Sequence, residues 1–396
     1  MNRITSILCL ILFFLNIDTP AHSETYRWTD NNGTLHFSDH PPPNITHVEP
    51  KGKSSEKPVI LDPTKVIPVR GKITRGLKAF DDEMLKIMEE TGYRAATLAI
   101  TYNGDFVLIR GYGWQDREMT KPIDPYTRMR IASIDKCFGN AAAKMLMRDG
   151  KLGKATPVFE YLNVKPYNGK VADPDVYRIT LNDLMEHKLG WDKKHDGFSG
   201  EVKKAVKSTF KTESPSMAQY NSFMAAQPLQ YRPGEKKVYS NYGSVLLRRV
   251  VEEAAGMAYI DYLKRLVNPT GATIVESLPA DNRGESEIWY KPESKPYFDA
   301  FAISAPDLCL FFQKYWISGS PRKKNGYVYS YHGSLPGTTS VVRQRKDGIN
   351  YAVLFNERGK IGNGAIDKRL NAIVDRVNNW STALVEDNYE HTIQNK

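Results

Sequence analysis

Two segments of the chain, far apart in sequence, each contain a pair of apolar runs around a tight-turn signal. Residues 97–102 and 106–111 flank the sequence NGD, and residues 341–345 and 349–355 flank KDG. Apolar, β-branched runs on either side of a short turn rich in Gly, Asn and Asp are typical of β-hairpins. Hairpins near both ends of one long segment predict an antiparallel sheet assembled from both ends, with the middle of the chain inserted between them.

Apolar residues recur at helical spacing before the first hairpin, in the middle of the chain and after the second hairpin. These positions are Leu77, Phe80, Met84, Ile87 and Met88; Leu246, Leu247, Val250, Val251 and Ala254; and Ile366, Leu370, Ile373, Val374 and Val377. The sequence therefore predicts an α/β (α+β) domain over residues 71–385, in which an antiparallel sheet is flanked by helices and joined to a mostly helical subdomain. Residues 386–396 are polar and are expected to form a tail.

The first 70 residues differ in composition from the rest and divide into three parts. Residues 1–23 combine Arg3 with the apolar run 7–15 and end in small residues, which predicts a cleaved export signal. A membrane-anchored start is the alternative interpretation of the same run. Residues 24–43 alternate aromatic and apolar positions around Asn-Asn-Gly, which predicts a small β-hairpin unit. Residues 44–70, rich in Pro, Lys and Ser, are expected to be a linker.

The charge balance and the missing motifs limit the partners and cofactors. The formal net charge is +10, so an exported protein is expected to make weak electrostatic contact with anionic polymers of a cell envelope. The basic pairs are scattered, which argues against nucleic-acid binding. No His, Cys and carboxylate cluster has metal-ligand spacing, and no phosphate-binding glycine loop or dinucleotide fingerprint occurs, so we expect no metal and no cofactor. After signal removal, no apolar stretch is long enough for an integral membrane span.

The candidate nucleophile is Ser133, in RIASIDKCF at residues 130–138. Residues i and i+3 of a helix share one face, so Lys136 can reach the Ser133 hydroxyl and activate it. The apolar neighbours would keep the lysine partly desolvated. In isolation this pattern is more often a serine helix cap followed by a surface lysine, and SSEK and SPRK elsewhere in the chain repeat it. The choice therefore depends on the other motifs.

Two further segments contain groups that suit acyl transfer. Tyr239 and Asn241 follow a Pro-Gly turn in PGEKKVYSNYG, residues 233–243. A phenol near a lysine ammonium can act as a general base, and the Asn241 amide can hold both a substrate carbonyl and Lys136. YHGSLPG, residues 331–337, precedes a predicted strand, and its glycines would let a substrate backbone approach. A backbone N–H there could pair with that of Ser133 as an oxyanion hole.

In this order, the three segments resemble the motifs of the β-lactamase and penicillin-binding-protein superfamily of serine hydrolases. Tyr-x-Asn as the second motif is similar to the branch of class C β-lactamases, DD-carboxypeptidases and esterases. The resemblance runs from about Gly92 to Arg358 and includes residues 179–191 and 304–315. Residues 24–43 resemble a small domain of unknown function that follows signal peptides in many exported bacterial proteins, which implies a periplasmic or extracellular location.

The resemblance implies a role for each matching residue. Ser133 would be the acylated nucleophile and Lys136 its activating partner. Tyr239 would be the general base and the acid for the leaving group, and Asn241 would position the substrate. His187, inside the block at residues 179–191, is expected to be a structural residue at a helix end and not a catalytic one.

The third motif departs from the family pattern. The family usually has Lys, His or Trp, then any residue, then Gly, with a second Gly four positions later. Counting back from Gly337 puts Gly333 at the first glycine, Tyr331 in the cationic or aromatic slot and the second oxyanion N–H on Ser334. Placing His332 in that slot instead requires a one-residue deletion before Gly337. In both alignments the lysine typical of β-lactamases is missing.

These motifs predict an exported serine hydrolase that acts through an acyl-enzyme on a small-molecule or peptidoglycan-derived peptide substrate. Because the lysine is missing, we expect DD-carboxypeptidase-like or esterase-like activity in preference to efficient β-lactamase activity. The alternative is a catalytically inactive protein that retains the fold and binds the cell envelope or peptidoglycan. The altered third motif and the N-terminal hairpin favour that alternative, and the intact Ser-x-x-Lys and Tyr-x-Asn motifs favour catalysis.

Overall fold

The computed structural model describes residues 26–29, 35–38, 63–276, 288–290, 301–322, 328–359 and 361–393. The chain forms two units, Met1–Val59 and Ile60–Lys396. In the first unit, strands β1 (Tyr26–Thr29) and β2 (Leu35–Ser38) pair antiparallel, as predicted for the N-terminal hairpin. The predicted export signal at residues 1–23 and the turn of this hairpin lie outside the described residues.

The second unit contains all the other helices and strands that the structure describes. Its strands are β3 (Val66–Thr74), β4 (Ala95–Tyr102), β5 (Asp105–Gly113), β6 (Met129–Arg130), β7 (Val275–Glu276), β8 (Phe301–Ile303), β9 (Tyr329–Leu335), β10 (Thr338–Gln344), β11 (Ile349–Phe355), β12 (Leu384–Glu386) and β13 (Tyr389–Thr392). Its helices are α1 (Lys78–Thr91), α2 (Asp135–Arg148), α3 (Val158–Tyr161), α4 (Leu181–Glu186), α5 (Gly200–Phe210), α6 (Met217–Met224), α7 (Asn241–Ala255), α8 (Tyr259–Val267), α9 (Ala305–Lys314) and α10 (Asn363–Val374).

An eight-stranded antiparallel sheet forms the centre of this unit. Its order is β12-β3-β5-β4-β11-β10-β9, and β13 pairs with β3 on the same side as β12. The two predicted hairpins, β4–β5 and β10–β11, are both present. They meet in the middle of the sheet, where Ala99 of β4 lies opposite Ala352 of β11. The expected sheet assembled from both ends of the domain is therefore confirmed.

Helices cover both faces of the sheet. On one face α1 and α10 enclose an apolar cluster that includes Phe80, Val353 and Leu370. On the other face lie α2, α9 and the helical middle of the chain, with Phe138 of α2 stacked on Phe311 of α9 at 3.9 Å between ring centroids. Since side chains alternate across a strand, neighbouring residues of β11 pack into the apolar clusters on opposite faces of the sheet. Both faces are buried, and the edge strand β9 lies beside the short turn that precedes α2.

The domain extends beyond both of its expected boundaries. Strand β3 begins at Val66, within the expected linker, and Val66 and Ile67 are buried. Strand β13 lies in the expected polar tail and pairs with β3. Arg110 is fully buried on β5 and forms ion pairs to Asp81 of α1 at 2.8 Å and to Asp387 of the tail at 2.7 Å. It therefore links this end of the chain to the rest of the domain. The tail was missed because its strands are short, polar and stabilised by partners distant in sequence.

A second, three-stranded sheet has the order β6-β8-β7. It leads directly to the first sequence motif, because β6 ends two residues before the turn that contains Ser133. Over the residues that the structure describes, no helix combines the length and apolar character needed to cross a membrane.

Candidate active site

Ser133 lies in a short 3-10 turn, Ala132–Ile134, immediately before α2. Ala132 has a φ of 49°, in the left-handed region that non-glycine residues seldom adopt. Lys136 is the second residue of α2, so it lies within one turn of the serine, and its Nζ donates to Ser133 Oγ at 3.2 Å. The serine therefore precedes the helix and does not belong to its first α-helical turn, while the lysine still reaches its hydroxyl.

Tyr239 approaches the same hydroxyl from the loop before α7. Its Oη lies 2.7 Å from Ser133 Oγ, and Lys136 Nζ lies 5.0 Å from the centroid of its ring. The next residue, Ser240, caps α7 by accepting from the Gly243 N–H at 2.8 Å. Ser240 Oγ also donates to buried Asp196. The capping bonds fix the backbone beside Tyr239, although Tyr239 as a residue is 43% exposed.

Asn241 is the first residue of α7, two positions after Tyr239, and its side chain is exposed. Among the described residues it has no hydrogen-bond partner. Its amide group is therefore available to an incoming molecule at the edge of the site. The expected contact between Asn241 and Lys136 is not among the hydrogen bonds of the described residues.

The edge strand β9 packs against the turn that holds Ser133. A Cβ at Gly333 would overlap the Ile131 carbonyl oxygen and Ser340 Oγ, and it would lie 3.0 Å from the Ser133 backbone nitrogen. Only glycine allows this approach of the strand to the turn. Ser340 Oγ, on β10, donates to the Ile131 carbonyl at 2.7 Å and so joins the two segments. Ser334 follows on β9 with an exposed side chain.

Asn363, the first residue of α10, supports the same strand and was not singled out from the sequence. Its Nδ2 donates to the carbonyl oxygens of Gly333 at 2.6 Å and of Ser340 at 2.9 Å. These two hydrogen bonds therefore link the start of α10 to both β9 and β10. The surrounding sequence IGNGAID carries no motif that would identify it, because the contact depends on where α10 lies on the sheet.

Tyr331 and His332 point in opposite directions, because successive side chains of a strand alternate. Tyr331 lies beside Tyr239. Burial raises the pKa of Tyr331, and nearby Cys137 and Tyr239 raise it further, so it stays a neutral phenol. His332 Nε2 faces α10 instead and lies 3.2 Å from Asp367 Oδ2. Of the two alternatives left open by the sequence, only Tyr331 has its side chain on the Ser133 side of the strand.

Asp367 explains the position of His332. Burial alone would raise the pKa of Asp367, but hydrogen bonds from His332, Arg343 and Tyr351 outweigh it and lower the pKa. The carboxylate is thus held in its charged form by three side chains on the far face of β9 to β11. His332 belongs to this structural network and not to the pocket around Ser133.

His187 ends α4 with a left-handed φ of 59°, the structural position expected from the sequence. Its Nδ1 accepts the Ser240 N–H at 3.3 Å, and its ring centroid lies 4.9 Å from that of Tyr239. Burial, followed by the charges of Lys136 and Lys237, lowers the pKa of His187 to about 4. The His187 ring is therefore neutral near pH 7, and it packs against Tyr239 without adding a charge to the site.

No set of three or more His, Cys, Asp or Glu side chains in the described part of the chain is arranged to hold a metal ion. The groups near Ser133 are an ammonium, two phenols and backbone N–H groups, and the Asn241 amide lies two residues after Tyr239. Such a set can move a proton and stabilise a negative oxygen.

Gly333→Ala is predicted to disrupt the site without changing any polar side chain. The new methyl group cannot fit against Ile131 and Ser340, so β9 must move away from Ser133. A displacement near 1 Å costs about a hundredfold in rate when reacting groups must be aligned. The measurement is the rate of covalent labelling of Ser133 by a fluorophosphonate. Gly200→Ala, where the added methyl group meets no atom within 4 Å, is the matched control; equal rates for the two variants would contradict the assignment.

His187 is predicted to make stability depend on pH. Its pKa of about 4 in the folded protein lies below the usual value of about 6.5. The unfolded chain therefore binds the proton first, and stability present above about pH 6.5 is lost as the pH falls towards 4. Between pH 7 and 4.5 this amounts to about 2 to 3 kcal/mol.

The test is urea unfolding at both pH values for the wild type and His187→Asn. Asparagine tolerates the left-handed backbone and offers an acceptor oxygen but does not titrate. The variant should lose less free energy of unfolding between pH 7 and 4.5 than the wild type. His195→Gln, at an exposed histidine, is the control. An identical pH dependence in wild type and His187→Asn would show that His187 is not held neutral.

Comparisons with known proteins agree with this architecture. The chain is 25% identical over 249 residues to the human mitochondrial serine beta-lactamase-like protein LACTB, covering 48% of this chain and 45% of the relative. It is 22% identical over 300 residues to penicillin-binding protein 4* of Bacillus subtilis strain 168, covering 74% and 52%. The chain thus spans about half the length of the curated relatives it matches. A class C beta-lactamase structure superposes with a TM-score of 0.60 at 16% identity, covering 76% of this chain and 97% of that one.

Two family models match the sequence. A domain of unknown function, DUF4124, matches residues 8–70, which include the N-terminal hairpin. The family model described as Beta-lactamase matches residues 80–291, more than half of the chain. Its range includes Ser133, Lys136, Tyr239 and Asn241 but ends before the third motif on β9. By this match and its fold, the chain belongs to the beta-lactamase family.

Proposed function

We propose that the protein is an exported serine hydrolase that works through an acyl-enzyme formed on Ser133. One observation carries the proposal: the Ser133 hydroxyl lies 3.2 Å from Lys136 Nζ and 2.7 Å from Tyr239 Oη. A serine hydroxyl needs a nearby base to become a nucleophile, and a phenol beside an ammonium can be that base. Ser133 and Lys136 belong to one segment, but Tyr239 lies 106 residues after Ser133, so the meeting of the three groups is not a by-product of one local turn.

In the proposed mechanism, Tyr239 takes the proton of Ser133 as Oγ attacks the substrate carbonyl. Before the attack Tyr239 is a phenolate stabilised by the Lys136 ammonium, since an opposite charge nearby favours the ionised form. Taking the Ser133 proton converts it to a phenol. As the tetrahedral intermediate collapses, the bond to the leaving group breaks and Tyr239 returns the proton to that group. A water molecule then releases the acyl group from Ser133 by the same proton transfers in the reverse order.

Two backbone N–H groups would stabilise the negative oxygen of the tetrahedral intermediate. One belongs to Ser133 and the other to Ser334, on the strand that Gly333 brings against the serine turn. Preorganised donors of this kind contribute about 3 to 4 kcal/mol each to the transition state. Asn241, with its exposed amide at the start of α7, would hold a carbonyl of the substrate.

The proposed substrate preference depends on β9, and in particular on Tyr331. Tyr331 occupies the position beside Tyr239 that would carry a lysine in a typical β-lactamase, and burial keeps the Tyr331 phenol neutral by raising its pKa. A neutral group binds the carboxylate of a β-lactam less well than an ammonium does. We therefore favour a DD-carboxypeptidase-like or esterase-like activity over efficient β-lactam hydrolysis.

An inactive envelope-binding protein is the alternative function, favoured by the loss of the third-motif lysine. Such a protein would have no need to keep a hydroxyl, a phenol and an ammonium in contact, and this contact supports catalysis instead. Export is supported by the apolar run at residues 7–15 and by the DUF4124 match. In either function, the net charge of +10 favours weak contact with anionic envelope polymers.

Intact-mass spectrometry after incubation with a fluorophosphonate, and separately with a penicillin, tests the proposal. The wild type should gain one adduct, and Ser133→Ala should gain none. Ser208→Ala, an exposed serine on α5, is the control and should label like the wild type. A fluorophosphonate adduct alone would favour an esterase, and a slowly released penicillin adduct a penicillin-binding enzyme. If neither probe adds to the wild type, the proposed function is wrong.

A further inference from the structure

A cavity of about 1040 Å³ opens beside the groups that contact Ser133. Lys136, Tyr239 and Tyr331 form one end of it. From there it follows α2 towards Arg148, with α4 on one side and residues 317–320 on the other. The space is larger than the immediate surroundings of a scissile bond require, and the proposed mechanism leaves most of it unused.

One face of α2 forms the floor of the cavity. Lys136, Asn140 and Lys144 follow each other at intervals of four residues, so they share a face, and all three line the cavity. At a rise of 1.5 Å per residue, Lys144 lies about 12 Å along the helix from Lys136. The cavity can therefore take an extended group that starts at Ser133 and ends near Lys144.

The charge of the lining is strongly unbalanced. Among the described residues, it contains five lysines and two arginines but only two carboxylates, Asp135 and Glu186. Both carboxylates are already occupied: Arg248 pairs with Asp135, and Lys188 lies 2.9 Å from Glu186. Lys144, Lys154 and Lys237 also line the cavity, and none of them forms an ion pair within the described part of the chain.

Lys144 is held at the far end of the cavity. Its Nζ donates to the Ser318 carbonyl at 2.7 Å and to Ser320 Oγ at 2.9 Å. Burial, followed by the charge of Lys154, lowers the pKa of Lys144. The two cations are thus close enough to repel each other, and the nearby charge of Glu186, already paired with Lys188, offsets only part of this repulsion. An ammonium has three donors, so Lys144 keeps one for a further acceptor.

We propose that this cavity binds an anionic arm of the substrate and that the enzyme prefers substrates with a carboxylate about 12 Å from the scissile carbonyl. The inference rests on the proposed function, because it assigns the substrate class of the same site. A carboxylate between Lys144 and Lys154 would relieve their mutual repulsion and accept the free donor of Lys144. The cavity would then supply selectivity, while Ser133 and its partners supply the chemistry.

A matched pair of esters tests the proposal. The first is the p-nitrophenyl monoester of decanedioic acid, which carries a free terminal carboxylate, and the second is the same compound with that carboxylate methylated. The wild type should give a kcat/KM about fivefold to tenfold higher for the anionic ester, as expected for one charge-assisted contact. This ratio should fall as the salt concentration rises, because salt screens the attraction.

Lys154→Met is the main variant, because this lysine is exposed and its backbone bond from the Asn182 N–H does not involve the side chain. It should lower the ratio of the two kcat/KM values about fivefold, and Lys144→Met should lower it at least as much. Lys86→Met, an exposed lysine on α1 across the sheet, should leave the ratio unchanged. A wild-type ratio near one, or a ratio unaffected by both cavity variants, would overturn the proposal.

A binding measurement separates this proposal from the proposed function. Decanedioate is titrated by calorimetry into Ser133→Ala, with decanoate as the reference, and again into Ser133→Ala/Lys154→Met. If no ester is cleaved through Ser133, the catalytic proposal fails. Tighter binding of decanedioate that weakens with Lys154→Met would still support the anionic site. Equal binding of the two acids would refute the anionic site whether or not the esters are cleaved.

Discussion

The 2.7 Å contact between the hydroxyl groups of Ser133 and Tyr239 is the feature on which the proposed chemistry depends. Ser133 and Tyr239 lie in the segments immediately before α2 and α7, respectively. Other parts of the fold hold each of these segments in place. Gly333 lets β9 close against the serine turn, and Asn363 fixes β9 from behind. His187 packs on the tyrosine ring and accepts the next backbone N–H. The site thus owes its geometry to residues that take no part in proton transfer.

The sheet could be predicted from sequence because hairpins and amphipathic helices are local patterns. The turn signals NGD and KDG lie between paired strands, and the helices at both ends of the domain pack on one face. The outer strands could not be predicted in the same way. Strand β13 is polar, and its place depends on β3 and on Arg110, both far away in sequence. The pairing of segments that are distant in sequence cannot be predicted from the residues of one short segment.

The third motif shows the same limit at the scale of one residue. In a strand, a shift of one position exchanges the two faces, so the sequence alone left Tyr331 and His332 as alternatives. The pairing of Gly333 with Ser340 on β10 sets the register. It turns Tyr331 towards Tyr239 and His332 towards Asp367. In the anionic-arm proposal, the positive charge that β9 lacks is supplied by lysines that line the cavity, such as Lys144 on α2.

The central claim is that the Tyr239 phenol activates Ser133, and the rate of acylation in Tyr239→Phe tests it most directly. The variant keeps the ring that packs on His187 and removes only the hydroxyl. The second-order rate constant for fluorophosphonate labelling should fall by about 10² to 10⁴, the usual contribution of a general base. Tyr126→Phe, at a tyrosine that is 56% exposed, should label like the wild type. Labelling of Tyr239→Phe within about threefold of the wild-type rate would contradict the claim.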